Sequence, residues 1–465
     1  MTLRLIAFAA LLTPAPLLAQ DLTPAETAKI DTLVRSTLAD TGVPSASIAV
    51  VRGGRLVLAK AYGKASEAIP VARADLPYQI ASISKQFTAT AMQLLEDDGK
   101  LKLDDTVATY IPGITGGDRI TLRQLLSHTS GLQDYWPQDY SFAAMATPVT
   151  PQQIVDRWAK KPLDFEPGTK WQYSNTGYVV AGMIVEKVAG MPLIDFLQAR
   201  VFRPLGMAAM DQDLAIGPRY PQGYKRFALG PVRVETPAAR GWLYAAGELS
   251  MSAADLAKWD IARMNRTLLP ADDWAEQETA VKLTDGTTNG YGLGIGNNRR
   301  LDHRTLEHSG EAVGFLSQNI VFPDDKAAIV VLTNSWFSDA YGRITRGLAE
   351  IVLPKAAAAT SEDAAALTKA RRVYDQLRRG GLDRAALTTD ANFYFTPAAQ
   401  ADYRTSLAPL GEPTGFVATG KPSLRGGFVQ RGFRVTYPKQ SLWISTFAEP
   451  GSDGRFEQFL VTPGE

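Results

Sequence analysis

Ser82-Ile83-Ser84-Lys85 places a hydroxyl and an amine three positions apart at the predicted start of a helix. A serine hydroxyl is a weak nucleophile until a base takes its proton. Residues at i and i+3 share a helix face, so the Lys85 amine can reach the Ser82 oxygen. Apolar Ile80, Ile83 and Phe87 would desolvate that lysine and draw its pKa toward neutrality. A helix N-terminus also offers unpaired N–H groups where an oxyanion develops. Ser-x-x-Lys arises by chance about once in a chain of this length, so the pair alone decides nothing.

Two further segments carry polar groups suited to the same chemistry. Tyr173-Ser174-Asn175 follows the turn Pro167-Gly168-Thr169 and precedes an apolar helix. There the Tyr173 phenol can share a proton with Lys85, and the Asn175 amide can donate to a substrate carbonyl. Taken alone, the tripeptide reads equally as a core tyrosine beside a helix cap. His308-Ser309-Gly310 stands before a predicted strand. Gly310 permits close approach of a substrate backbone, and the N–H of Glu311 is placed to act as an oxyanion donor beside that of Ser82.

The order Ser-x-x-Lys, Tyr-x-Asn, His-x-Gly resembles that of the penicillin-recognising serine hydrolases, in the class C β-lactamase-related branch. The resemblance runs from about Leu22 to Val352. Leu125 to Gly131, Phe165 to Gly168, Ala246 to Ser250 with Asp255, Tyr291 to Gly294 and Val330 to Asn334 also fit. That branch includes class C β-lactamases, D-alanyl-D-alanine carboxypeptidases, D-aminopeptidases and family VIII esterases. The resemblance implies catalysis by Ser82, Lys85 and Tyr173 through an acyl-enzyme. Asn175, His308, Gly310 and Glu311 would bind substrate or stabilise the oxyanion. Whether Lys85 or Tyr173 is the base stays open, since coupled groups titrate as a pair. One departure stands out. Classical β-lactamases carry Lys in the third motif, where this chain has His308, which is mostly neutral at pH 7 unless perturbed. That favours an ester or amide substrate over a penicillin. Tyr135 and Trp136 either line the acyl pocket or pack.

Rival chemistries lack their residues. The 465-residue chain has no cysteine and three histidines, His128, His303 and His308. No histidine pair has ligand spacing on one helix, so neither a metal nor another cofactor is expected. No serine sits in Gly-x-Ser-x-Gly, and no Gly-x-x-x-x-Gly-Lys run exists. Gly292 to Gly296 is glycine-rich but opens no helix. Lys plus Arg number 49 against 48 Asp plus Glu, so nothing in the charge favours nucleic acid.

The scaffold follows from the hydrophobic pattern. Arg4, the apolar run Leu5 to Leu12, Pro14, Pro16 and Ala19 match a cleaved secretory leader, and the run is too short to span a bilayer. Thr23 to Leu38 has helical spacing. Ser45 to Val51 and Leu56 to Tyr62 flank the hairpin signal Arg52-Gly53-Gly54-Arg55. Helices are predicted from Ser82 to Gly99, near Pro151 to Lys160, and over Thr176 to Val188. Phe315 to Phe322 and Ala327 to Thr333 read as strands around Pro323-Asp324-Asp325, and Ala340 to Val352 as a helix. The expected class is α+β. One antiparallel sheet from the first hairpin and the late strands is flanked by helices, and the family resemblance adds an all-helical subdomain.

Three segments are therefore expected: a leader over 1–19, a serine hydrolase domain over 20–355, and a small α+β domain over 356–465. In the last, a helix with Leu367, Ala370, Tyr374 and Leu377 on one face ends at Gly380-Gly381, and strands follow from Gly415. Its order resembles a cystatin-like or nuclear-transport-factor-like cone. The expected product is a periplasmic or secreted bacterial serine hydrolase. Its substrate is a small ester, a peptide or a β-lactam-like molecule, with no nucleic acid partner and no stable membrane anchor. A true β-lactamase or D-Ala-D-Ala carboxypeptidase, and a catalytically idle binding protein, are the competing readings. The sequence leaves the oligomeric state open.

Overall fold

The computed structural model describes residues 21–135, 142–353 and 361–464. The expected leader, Trp136 and Pro354 to Thr360 of the Ala-rich join lie outside the described residues. Two compact units divide between Leu353 and Pro354.

The first unit opens with helix α1 (Pro24–Thr41). Thr23 and Glu26 form a reciprocal capping box at its start, and Gly42 ends it in the left-handed conformation. Strands β1 (Ser45–Arg52) and β2 (Arg55–Gly63) form the predicted hairpin over Gly53-Gly54, both at positive φ. The chain then runs through helices α2 (Lys85–Asp97), α3 (Asn175–Ala189) and α4 (Ala253–Asn265). It returns as strands β3 (Gly296–Arg300), β4 (His303–Ala312), β5 (Phe315–Phe322) and β6 (Ala327–Thr333), followed by helix α5 (Ala340–Val352).

The six strands make one antiparallel sheet in the order β2-β1-β6-β5-β4-β3. β1 is buried along seven of its eight residues because helices cover both faces. Ile48 and Val50 pack with Ile30 and Val34 of α1 and Ile344 and Leu348 of α5. Ala49 and Val51 face the larger core, with Phe87, Leu95 and Trp259. Alternate residues thus serve two cores, as strand geometry requires.

The helix predicted near Pro151 to Lys160 is α-helical only over Pro151–Ile154 and widens into a π turn over Val155–Ala159. The His-Ser-Gly segment was expected just ahead of a strand. It lies inside β4 instead, because its glycine answers a close packing contact rather than a turn. Among the described residues no helix is long and apolar enough to cross a membrane.

The second unit packs helix α6 (Ser361–Arg379) with a four-stranded antiparallel meander, Gly415–Arg425, Phe428–Thr436, Ser441–Ala448 and Phe456–Pro463. Ala370, Tyr374 and Leu377 share its core with Phe433, Val435, Ile444 and Phe459, and Leu367 packs at the margin. The Tyr374 and Tyr437 hydroxyls meet at 2.7 Å, satisfying two buried polar groups at once.

Candidate active site

Ser82 stands on a single 3-10 turn, Ala81–Ser84, that feeds into α2. The preceding Ala81 has φ +50°, an uncommon conformation for a residue with a Cβ. Its surroundings hold it there. The Ile80 N–H donates to Leu249 O at 3.0 Å, and the Leu249 N–H donates to Ser84 Oγ at 3.2 Å. Ser317 Oγ donates to Ile80 O at 3.0 Å. The turn is thereby tied to both the small sheet strand Leu249–Met251 and the main sheet.

Lys85 is completely buried. Its Nζ lies 3.0 Å from Ser82 Oγ, 2.8 Å from Asn175 Oδ1 and 2.6 Å from Ala246 O. The rings of Tyr173 and Tyr178 lie 4.8 and 5.3 Å away. Burial draws its pKa from 10.5 to about 7, against the opposing pull of Asp134. A neutral amine has two N–H donors and one lone pair. Asn175 Oδ1 and Ala246 O are pure acceptors, so only Ser82 can donate into that lone pair.

Tyr173 is half-buried on the cavity wall, and desolvation pushes its phenol well above the ordinary value, so it stays protonated. Behind it stands His128, whose ring centroid is 4.1 Å away. His128 Nδ1 accepts the Ser174 N–H at 3.1 Å, and its carbonyl accepts the Gln172 N–H at 3.0 Å. That bond puts the proton on Nε2, and burial lowers the pKa further, so the ring is neutral. Ser174 caps α3 by accepting the Gly177 N–H at 3.2 Å, which fixes Asn175 as the first helical residue. The Asn175 amide is already engaged. Its Nδ2 donates to both Asp134 oxygens at 3.2 Å while its Oδ1 accepts from Lys85. Its expected bond to a substrate carbonyl would have to displace one of these.

The third segment lies across the cleft. His308 Nδ1 donates to Ser309 O at 2.5 Å, and Nε2 accepts the Tyr291 hydroxyl at 2.8 Å. Burial, with Lys85 nearby, lowers its pKa to about 3, so the ring is neutral. At Gly310 a Cβ would fall 2.1 Å from Ile80 O and 2.3 Å from Ser317 Oγ. Only glycine lets β4 pass this close to the turn carrying Ser82. β3 pairs with residues 303–307 of β4, so along 308–312 that edge has no strand partner among the described residues. Ser82, Asp134, Gln172, Tyr173, Asn175, Leu243, His308, Ser309 and Glu311 line one cavity of about 450 Å³.

Six of the seven site residues expected from the sequence therefore meet at this cavity or its floor, and Gly310 shapes its wall. Tyr135 does not line it. It is fully buried, its hydroxyl bonded to Trp242 O and its N–H to Thr176 Oγ1 at 3.2 Å. Sequence reasoning missed Asp134, the Ala246 carbonyl and the tie from Tyr291 to His308. The acid two residues beyond Leu132 was visible as a charge in an apolar loop. The other two depend on contacts far apart in the chain. Among the described residues no group of His, Asp and Glu side chains could hold a metal ion.

A sequence model of the family described as beta-lactamase matches residues 30–353. The chain is 30% identical over 325 residues to penicillin-binding protein 4* of Bacillus subtilis, over 66% of this chain and 72% of that protein. A solved D-stereospecific amidohydrolase from Streptomyces sp. matches with TM-score 0.61 and 28% identity, over 71% of this chain and 99% of the other. The octameric penicillin-binding protein homologue from Pyrococcus abyssi matches over 94% of this chain and 95% of its own, with TM-score 0.63. At 21% identity that likeness is one of fold.

Proposed function

The chain belongs to the beta-lactamase family of serine hydrolases, and on that footing we propose that it is an exported hydrolase of esters or amides working through a Ser82 acyl-enzyme. One observation carries the reading: the Lys85 amine, buried and drawn to about neutrality, has Ser82 as its only proton-donating partner among its three hydrogen-bond neighbours.

Ser82 Oγ attacks the carbonyl carbon as its proton passes to Lys85 Nζ. The N–H groups of Ser82 and Glu311 stabilise the oxyanion. Collapse of the tetrahedral species expels the leaving group, which takes its proton from the Tyr173 phenol. Lys85 returns a proton to Tyr173. Water then attacks the acyl-enzyme along the same relay in reverse, and Ser82 departs with its proton restored. Asp134 and Asn175 are positioning residues that fix the lysine. The leader-like segment 1–19 supports export. The neutral His308 supports an ester or amide over a penicillin, whose carboxylate a lysine would hold.

The test is a panel of p-nitrophenyl esters, D-amino-acid anilides and a penicillin, with a fluorophosphonate probe mapped by mass spectrometry. The native chain should cleave an ester or anilide and label on Ser82, and Ser82→Ala should lose at least about 10³-fold in kcat. Full turnover by Ser82→Ala would refute the proposal. Ring opening of the penicillin as the fastest reaction would favour the β-lactamase alternative.

A further inference from the structure

The cavity that holds Ser82 has a one-sided charge balance. Its lining carries two carboxylates, Asp134 and Glu311, and no lysine or arginine among the described residues. Lys85 lies below the floor, buried, with its hydrogen-bonding capacity spent on Ser82, Asn175 and Ala246. The position from which a cation would grip a substrate carboxylate is filled by His308, and both its nitrogens are taken. Nδ1–H goes to Ser309 O, and Nε2 accepts from Tyr291. A carboxylate entering the cleft therefore meets no positive charge and no free imidazole N–H.

The two acids differ. Asp134 is satisfied within the protein by the Asn175 amide and backbone N–H. Glu311 stands exposed on the half-edge of β4 that has no strand partner, and its carboxylate makes no hydrogen bond or ion pair among the described residues. The cleft walls around it raise its pKa by desolvation alone, and no cation contributes to offset it. Its solvent-facing carboxylate has no counter-ion among the described residues, so its charge stands uncompensated. A bound cation relieves it.

We propose that Glu311 selects acyl donors carrying a positive charge a few bonds from the scissile carbonyl, amino-acid or peptide esters and amides with a free amine, and disfavours donors with a carboxylate there. The inference rests on the hydrolase reading above and gives its substrate class. The Glu311 N–H would serve the oxyanion while its side chain sorts substrates by charge.

Three p-nitrophenyl esters of matched shape, those of β-alanine, butyrate and succinate, test this with the full chain after subtraction of spontaneous hydrolysis. They place an ammonium, a methyl or a carboxylate at the same distance from the carbonyl. The native protein should prefer the ammonium ester over the carboxylate ester by roughly tenfold or more in kcat/KM at low salt, less at high salt. Glu311→Gln should collapse that ratio toward unity, whatever it does to the butyrate ester. If Glu311→Gln abolishes all turnover, Glu311→Asp, which keeps the charge, must restore the ammonium preference. An absent preference in the native protein, a ratio unmoved by Glu311→Gln, or an Asp variant without preference each overturns the inference. Those results leave Ser82 chemistry standing, provided Ser82→Ala is inactive on the butyrate ester. Turnover of that ester by Ser82→Ala would instead remove the hydrolase reading itself.

Discussion

Lys85 should govern the acid limb of the pH profile. Only its neutral amine can take the Ser82 proton, and burial brings its pKa to about 7. Activity is therefore gained as pH rises through that value, because the deprotonated form is the competent one. About 9% of the free enzyme is competent one pH unit below and about 91% one unit above, so kcat/KM climbs roughly tenfold across that interval. His308 titrates near 3 and Tyr173 far to the alkaline side, so neither contributes. Three carboxyls do fall in the window, Asp260 and Asp273, raised to about 7, and Glu248, raised to about 8, all chiefly by desolvation. Asp260 accepts two bonds from Asn319 Nδ2 at 2.8 Å, and Asn319 Oδ1 accepts from Gln86 Nε2 at 3.0 Å, next to Lys85. The assay is kcat/KM for an uncharged p-nitrophenyl ester at constant ionic strength, in the native protein and in Asp260→Asn and Glu248→Gln. The limb should persist in both variants near the same midpoint. A limb that vanishes with Asp260 or Glu248 would assign it to that carboxyl. Activity that falls as pH rises through about 7 would mean that the ammonium form is required, and the base would then have to be Tyr173.

Two other substitutions probe the frame. Gly310→Ala forces a methyl to within 2.1 Å of Ile80 O. β4 must retreat from Ser82, so kcat should drop by about 10²-fold while chemical denaturation records a loss of only ~1–3 kcal/mol; unchanged kcat would show that strand placement is irrelevant. Tyr291→Phe strips His308 Nε2 of its 2.8 Å donor and leaves a buried acceptor unsatisfied, at a cost of about 1–3 kcal/mol. The same denaturation experiment checks it, and a loss below about 0.5 kcal/mol would mean that the pair is not formed in solution.

Much of this was legible before any coordinates because local signals agreed. The Gly53-Gly54 turn between two β-rich runs forced a hairpin. The apolar spacing from Ile83 to Leu95 forced a buried helix, and the three motifs carried their order. What escaped was long-range. Gly310 was expected just ahead of a strand and open to a substrate backbone, yet it lies inside the strand, and the backbone its missing side chain makes room for is the protein's own, at Ile80. Tyr135 read equally as a pocket aromatic or a packing residue, and it is core. The buried chain Asp260–Asn319–Gln86, joined by Arg263 donating to Gln86 Oε1 at 3.1 Å, draws partners from three distant stretches, and no periodicity announces it. The π turn at Val155–Ala159 has no physical account in its residues.

The order of strands in the large sheet also has a temporal side. β1 pairs on one flank with its immediate neighbour and on the other with β6, almost three hundred positions later. Contacts so remote in the chain close slowly, after a large loss of loop entropy. A chain cut just after Tyr173 already carries its nucleophile, its amine and its phenol, but not the strand that walls them in. Competence for chemistry should therefore switch on late and all at once. Fragments ending before Thr333 should be silent however well their helices form.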